Sequence, residues 1–435
     1  MTLNLTNVIK GANDRVKKIR FWKSRFLVIG LIVAVHLSGC SDFKEEDSEN
    51  IAYQPEQQER KTTDEITMKR SETEEKEVEE ILEICSKTYE KAAEEGKLGD
   101  LEMIRGLVNC LGEKGYTAVD HENQINMTEY ENVIQFCEKA ETKKSGRMTI
   151  IEVARNGSCI IRNMETQDGN VNVIRSYYVY EDGELKLSSE DLYRAESWKY
   201  TEDGYLIFLG RLAFEGSYEV TKSETMEYTA YRVLPLDETC RKLNRRYILP
   251  IGYERNNMFL ADWSEEDFGE LDFYDIFDLF YRENHTEYGE FTAGNAMGTC
   301  AVYLISKEKF EPIIMSRFNI SSEVLQSKTI YHSEEEVYEY KPRGLEEVEY
   351  PEYPYPEVID YVKNDDGTLT LKVQAVFPYR KLSQAYLHEV TVRDTEDGGI
   401  EYVANRILEP IHDSAIGWHV PCLTRTEWEE LYGGK

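Results

Sequence analysis

The chain has 435 residues and carries 83 Asp and Glu against 51 Lys and Arg, a formal charge of −32 at neutral pH. That excess repels nucleic acid and anionic lipid headgroups, so neither surface is expected as a partner. A chain this long buries its own core, and eight cysteines without a CxxC do not read as a disulfide scaffold.

The first element is an address. Arg15, Lys17, Lys18, Arg20, Lys23 and Arg25 precede an apolar run from Phe26 to Leu37, and Asp14 is the one acid before Asp42. Positive charge kept on the cytoplasmic side sends the apolar run outward. A spanning helix needs about 20 mainly apolar residues, so this shorter run reads as the core of a signal peptide. It ends in Leu37-Ser38-Gly39-Cys40, which resembles the lipobox of bacterial lipoproteins. The resemblance implies that residues 1–39 are removed and that the Cys40 thiol takes a diacylglycerol. The protein would then sit on the extracytoplasmic face of the cell membrane. An ordinary signal peptide with a chance cysteine, or an uncleaved anchor, are the alternatives; small residues before the cut suit both, but the cysteine is specific to lipoproteins. Losing residues 1–39 removes seven Lys/Arg and one Asp, which leaves 44 basic and 82 acidic side chains and a charge of −38.

Residues 40–75 are polar and acidic, with Ile51, Tyr53 and Ile66 among few apolar side chains. Such a segment cannot offset its ordering entropy and is expected to be a disordered tether with a reach of ~30–35 Å.

An α+β fold is expected beyond it, in two units. In residues 76–236, Val78, Ile81, Leu82, Cys85 and Tyr89 share one helix face, as do Leu101, Ile104, Leu107, Val108 and Leu111. Thr128-x-x-Glu131 has the form of a capping box opening a third helix. From Met148 to about Leu234 the period becomes two, punctuated by Asn156-Gly157, Asp168-Gly169, Asp182-Gly183 and Asp203-Gly204. This predicts an antiparallel β-meander with the helices covering one face.

The second unit, 237–435, opens with a short basic helix from Glu238 to Arg246. A buried helix is expected over 264–283, with Ser264 and Asp267 at its cap; in Leu271–Tyr281 the polar positions are Asp272, Asp275 and Asp278. Thr299–Ile305 reads as a strand, and Phe310, Ile313, Ile314 and Phe318 as a helix face. Tyr350–Pro356 alternates proline with other residues and reads as extended chain. Strands at 358–363, 368–377, 388–393 and 400–408 form C-terminal hairpins, and a helix from Thr426 to Tyr432 closes the chain.

Asp262, Asp267, Asp272, Asp275 and Asp278 are the candidate site residues. Clustered carboxylates could hold a cation or work as the acid–base pair of a glycoside hydrolase. They could equally form the solvated edge of a buried helix, paired with Arg241, Lys242, Arg245 and Arg246. We favour the second, since no glycine-centred metal loop accompanies them. His121, His285, His332, His388, His412 and His419 show no HExxH or HxH spacing, so no metal is expected. No GxSxG elbow, phosphate loop or other cofactor motif occurs, and no cofactor is expected. The 30 tyrosines fit half-buried sheets, or stacking on a sugar or a partner.

Several runs together resemble a family of uncharacterised lipoproteins from Gram-positive, largely anaerobic bacteria. They are Leu234–Cys240, Tyr247–Met258, Asp262–Asp278, Tyr355–Val358 with Asn364–Gly367, and Leu423-Thr424 before Glu427-Trp428. The resemblance implies location and size and transfers no catalytic residue. The expectation is a lipid-anchored, non-enzymatic protein binding an envelope protein or a glycan. The alternative is a carboxylate-dependent wall- or glycan-directed hydrolase.

Overall fold

The computed structural model describes residues 68–213, 224–284, 303–340 and 353–409. The expected signal peptide, Cys40, most of the tether and the helix at 426–432 lie outside the described residues, as do His285, His412 and His419. The fold is α+β.

Residues 68–75, expected to belong to the tether, are part of the folded body. Met68 is buried. Arg70 reaches into the sheet to bond Asn163 at 2.6 Å and Glu190 at 2.7 Å. Helix α1 (Glu72–Glu94) opens on a capping box made by Ser71 and Glu74. It buries Val78, Ile81, Cys85 and Tyr89, the stripe expected from their spacing. Helix α2 (Leu101–Glu113) lies beside it. Strand β1 (Thr117–Asp120) and helix α3 (Tyr130–Glu141) follow. The Thr128 hydroxyl does not cap α3. It accepts from the Ala118 N–H and donates to the Tyr116 carbonyl, tying the loop to β1, and α3 begins from Glu129 in a left-handed conformation.

The expected meander is two sheets. Strands β2 (Gly146–Val153), β3 (Cys159–Gln167), β4 (Asn170–Glu181) and β5 (Glu184–Arg194) run antiparallel, and β1 joins the edge parallel to β2. Asp168-Gly169 and Asp182-Gly183 are two-residue turns with positive φ at both positions, the backbone a tight hairpin requires. Strands β6 (Ser197–Tyr200), β7 (Tyr205–Ala213) and β8 (Glu224–Arg232) form a separate three-stranded sheet. Both faces of the larger sheet are therefore covered. Ile151, Cys159 and Ile161 pack under α1 and α2. Ile150, Met164 and Val173 face α3 and the β6–β8 sheet, where Phe136, Phe208 and Tyr231 close the core.

In the second unit, α4 (Glu238–Leu243) is capped by Asp237 and runs into one π turn, Asn244–Ile248. The buried helix is shorter than expected. Ser264 lies in the two-residue strand β9 (Trp263–Ser264), where its hydroxyl accepts from the N–H groups of Glu266 and Asp267. Helix α5 spans Phe273–Asn284. Strand β10 (Tyr303–Ser306), α6 (Lys307–Met315), α7 (Ser322–Lys328), β11 (Tyr331–His332) and β12 (Val337–Tyr340) follow, with sheet order β10-β12-β11. Strands β13 (Tyr355–Lys363), β14 (Leu369–Val376), β15 (Leu387–Asp394) and β16 (Ile400–Glu409) make the C-terminal antiparallel sheet, with β9 beside β16. Tyr355 and Pro356, expected as extended chain, begin β13; that strand lies at the sheet edge, where proline costs no ladder bond. Rings dominate this core. Phe277 stacks on Phe310 at 4.7 Å, and Phe310 on Tyr338 at 4.4 Å.

The chain passes between the units at Leu236, whose N–H and C=O both bond the Asn126 side chain, at 3.0 and 2.9 Å. Arg232 and Glu357 pair across the same junction at 3.1 Å, both buried.

Candidate functional site

The aspartates singled out in the sequence have separate tasks. Asp262 accepts from the Ile407 N–H at 2.6 Å and fixes the end of β16. Asp267 accepts from the Gly269 N–H at 3.0 Å, with Lys328 at 3.5 Å; the Gly269 bond and then Lys328 hold its carboxyl below the ordinary value. Asp272 caps α5, accepting from the N–H groups of Tyr274 and Asp275 at 3.0 and 3.3 Å. Asp278 accepts from the Tyr340 hydroxyl at 3.0 Å, and Asp275 is buried. Among the described residues, the suggested pairing of these acids with Arg241, Lys242, Arg245 and Arg246 is not made. Arg241 turns inward to Asn126 and the Asn123 carbonyl, Arg245 to Glu238 and the Gln124 carbonyl, and Arg246 to Asp394. Two of these cations, Arg241 and Arg245, thus bond backbone carbonyls of the buried Asn123–Gln124 turn of the first unit.

Histidines separate in the same way. His388 is sealed between Tyr253 (2.9 Å) and Asn405 (2.7 Å), and burial pushes its pKa down to about 4, so it is a neutral core residue. His332 lies 3.5 Å from Glu339. His121 differs: it follows β1 directly, its side chain is 63% exposed, and its Nδ1 sits 2.5 Å from Glu152, whose side chain is 5% exposed.

Behind Glu152 lies a buried ionic network that the sequence reading missed. Alternation along β2 and β3 puts Glu152 and Arg162 on the face turned toward the β6–β8 sheet, with Ile150 and Met164. Arg162 donates to Glu152 at 2.6 Å and to Glu227 of β8 at 2.7 Å, and also bonds the Tyr231 hydroxyl. Tyr231 donates to Glu152 at 2.6 Å. Arg175 bonds Glu227 at 2.8 Å and Asp191 at 3.4 Å, and the Tyr193 hydroxyl donates to Glu227 at 3.2 Å. The Arg162 guanidinium also lies over the rings of Phe208 and Tyr231, 6.0 and 5.6 Å from their centroids.

Burial alone would raise the Glu152 pKa. The Arg162 charge, with bonds from His121 and Tyr231, outweighs it and holds the carboxyl down at about 2. The same Glu152 bond raises the His121 pKa above its ordinary value, against burial and the Arg162 charge. Two guanidinium groups face the three carboxylates Glu152, Glu227 and Asp191, so the network carries one unbalanced negative charge until His121 takes a proton. His121 is thus a proton-binding group at the mouth of a charged interior, its Nε2 without a bond to any of the described residues.

The signal for this network was a charge inside each of two paired apolar runs, Ile-Ile-Glu-Val and Ile-Ile-Arg-Asn-Met, placed on one face by the hairpin.

A family model matches residues 71–420. The chain belongs to DUF6070, a family of unknown function. No curated protein and no solved structure matches the chain. The DUF6070 match begins at Ser71, the cap of α1, and takes in the first unit, the second as far as residue 420, the His121 network and all five aspartates. Among the described residues, no group of three or more His, Cys, Asp and Glu is placed to hold a metal ion. Among the same residues, no helix is long and apolar enough to cross a membrane.

Proposed function

We propose that this protein is a lipid-anchored extracytoplasmic binding protein. It is held to the cell membrane by a diacylglycerol on Cys40 and serves an envelope protein or glycan ligand without catalysing a reaction. The observation that carries the reading is Leu37-Ser38-Gly39-Cys40, closing a short apolar run behind seven cations. Two acyl chains anchor a protein stably where one is marginal. The non-enzymatic half is supported by the work the aspartates do. A glycosidic acid needs a raised pKa, whereas Asp267 is held low and Asp272 is committed to a helix cap. His121 is the described side chain best suited to meet a ligand: exposed, protonatable, and backed by a carboxylate.

The test is fractionation of a bacterial host producing the full chain. The wild-type protein is expected to sediment with membranes, and Cys40→Ser to leave the lipid-bound fraction. Equal distribution of the two would overturn the anchor. Purified mature protein is expected to release no sugar from cell-wall glycan; release abolished by Asp275→Asn would overturn the non-enzymatic reading and leave the anchor standing.

A further inference from the structure

The junction between the units encloses a small cavity bounded by the Asn123–Gln124 turn, α4 with its π turn, and the start of β13. About 10 Å³ of it is open to the centre of a water molecule. Three polar atoms of side chains lining it have no hydrogen-bond partner among the described residues: Gln124 Oε1, Arg241 Nη2 and Asn244 Oδ1. Each belongs to a side chain no more than 4% exposed.

The rest of each side chain is already committed, which fixes what is left over. Gln124 donates through Nε2 to the Glu122 carbonyl at 3.1 Å, and Asn244 through Nδ2 to the Pro356 carbonyl at 3.1 Å. Both amides are therefore oriented with oxygen as the spare end. Arg241 gives Nε to Asn126 at 2.8 Å and Nη1 to the Asn123 carbonyl, leaving Nη2 over. One donor and two acceptors remain.

We infer that this cavity is a binding site for one water molecule, which accepts from Arg241 Nη2, donates to Asn244 Oδ1 and Gln124 Oε1, and so links the two units. The volume matches: a buried water needs roughly 10–15 Å³ of such space and typically makes about three hydrogen bonds. The chemistry excludes the other small occupants. A metal cation needs a shell of oxygen ligands and would sit against a guanidinium. An anion would face two amide oxygens with the Glu357 carboxylate also in the lining. Ammonium has no lone pair for Arg241. Water alone can both donate and accept. Gln124 belongs to the first unit and Arg241 and Asn244 to the second, so the bridge adds to the direct bonds between Asn126 and Leu236 and between Arg232 and Glu357.

A crystal structure of the mature chain, at a resolution that orders solvent, tests this directly. The expected result is a single density peak inside the cavity, about 2.7–3.2 Å from Arg241 Nη2, Asn244 Oδ1 and Gln124 Oε1. A cavity without density overturns the inference, as does Arg241 Nη2 bonded straight to a protein oxygen.

Discussion

Between the two sheets of the first unit, the centre of the space is held by Arg162 and the acids around it; in the second unit the space where α5 and α6 meet β12 is filled with rings. Arg162 meets Glu152 on its own sheet and Glu227 on the facing one, so its bonds fix how β8 lies over β3. Phe277, Phe310 and Tyr338 stack without donating to one another, and their contribution scales with buried area. Charges are directional and fail badly when one member is lost; rings tolerate a change of shape. The difference teaches where each unit is brittle.

The largest effect expected is from Arg162→Met. It takes from Glu152 its guanidinium partner and leaves Glu227 with Arg175 alone, and breaking such a buried group typically costs about 3–5 kcal/mol. Urea denaturation should show it as a large fall in midpoint. Replacing Arg162, Glu152 and Glu227 together by apolar residues should recover part of that loss, because Arg175 keeps Asp191 and no buried charge is then unpaired, while the Tyr231 and Tyr193 hydroxyls lose their partners. If single and triple variants fall equally, the network is not what orders the sheets. Phe277→Leu in the second unit should cost only about 1–2 kcal/mol, as stacking is lost but volume nearly kept. A fall as large as that of Arg162→Met would erase the contrast. Asp272→Ala removes the cap of α5 and should cost about 1 kcal/mol, measured in the same way. Unchanged stability would return this aspartate to the list of functional candidates.

The smallest effect is a change of pH dependence. The His121 pKa is raised in the folded state by Glu152, so its stabilising contribution is full below the ordinary value of 6.5 and is lost as pH rises through the raised one. His121→Gln lacks that contribution. The gap in unfolding midpoint between wild type and variant should be wider at about pH 5.5 than at about pH 8.5. A gap that does not change with pH would mean that the imidazolium–Glu152 pair does not form.

Local pattern made much of this fold legible. The stripe Val78, Ile81, Cys85 and Tyr89 marks α1, and Asp168-Gly169 and Asp182-Gly183 mark hairpins because only a few residue pairs accept positive φ twice in succession. Strand β1 escaped because all four of its residues are buried, which leaves no alternation to read. The split into two sheets escaped because alternation marks each strand as a strand but does not say which strand it pairs with. Helix α5 starts later than its sequence suggests, since Ser264, Asp267 and Asp272 all have capping chemistry and tertiary context gave the cap to Asp272. Acidic spacing drew attention to residues 262–278, yet the exposed imidazole on a buried carboxylate depends on β1 and β2 lying side by side, which no local window contains.

The most direct measurement is intact mass spectrometry of the native protein's amino terminus. The anchored reading predicts a chain that starts at residue 40 with a diacylglycerol on its sulfur. A terminus retaining residues 1–39, or an unmodified thiol at Cys40, would contradict it.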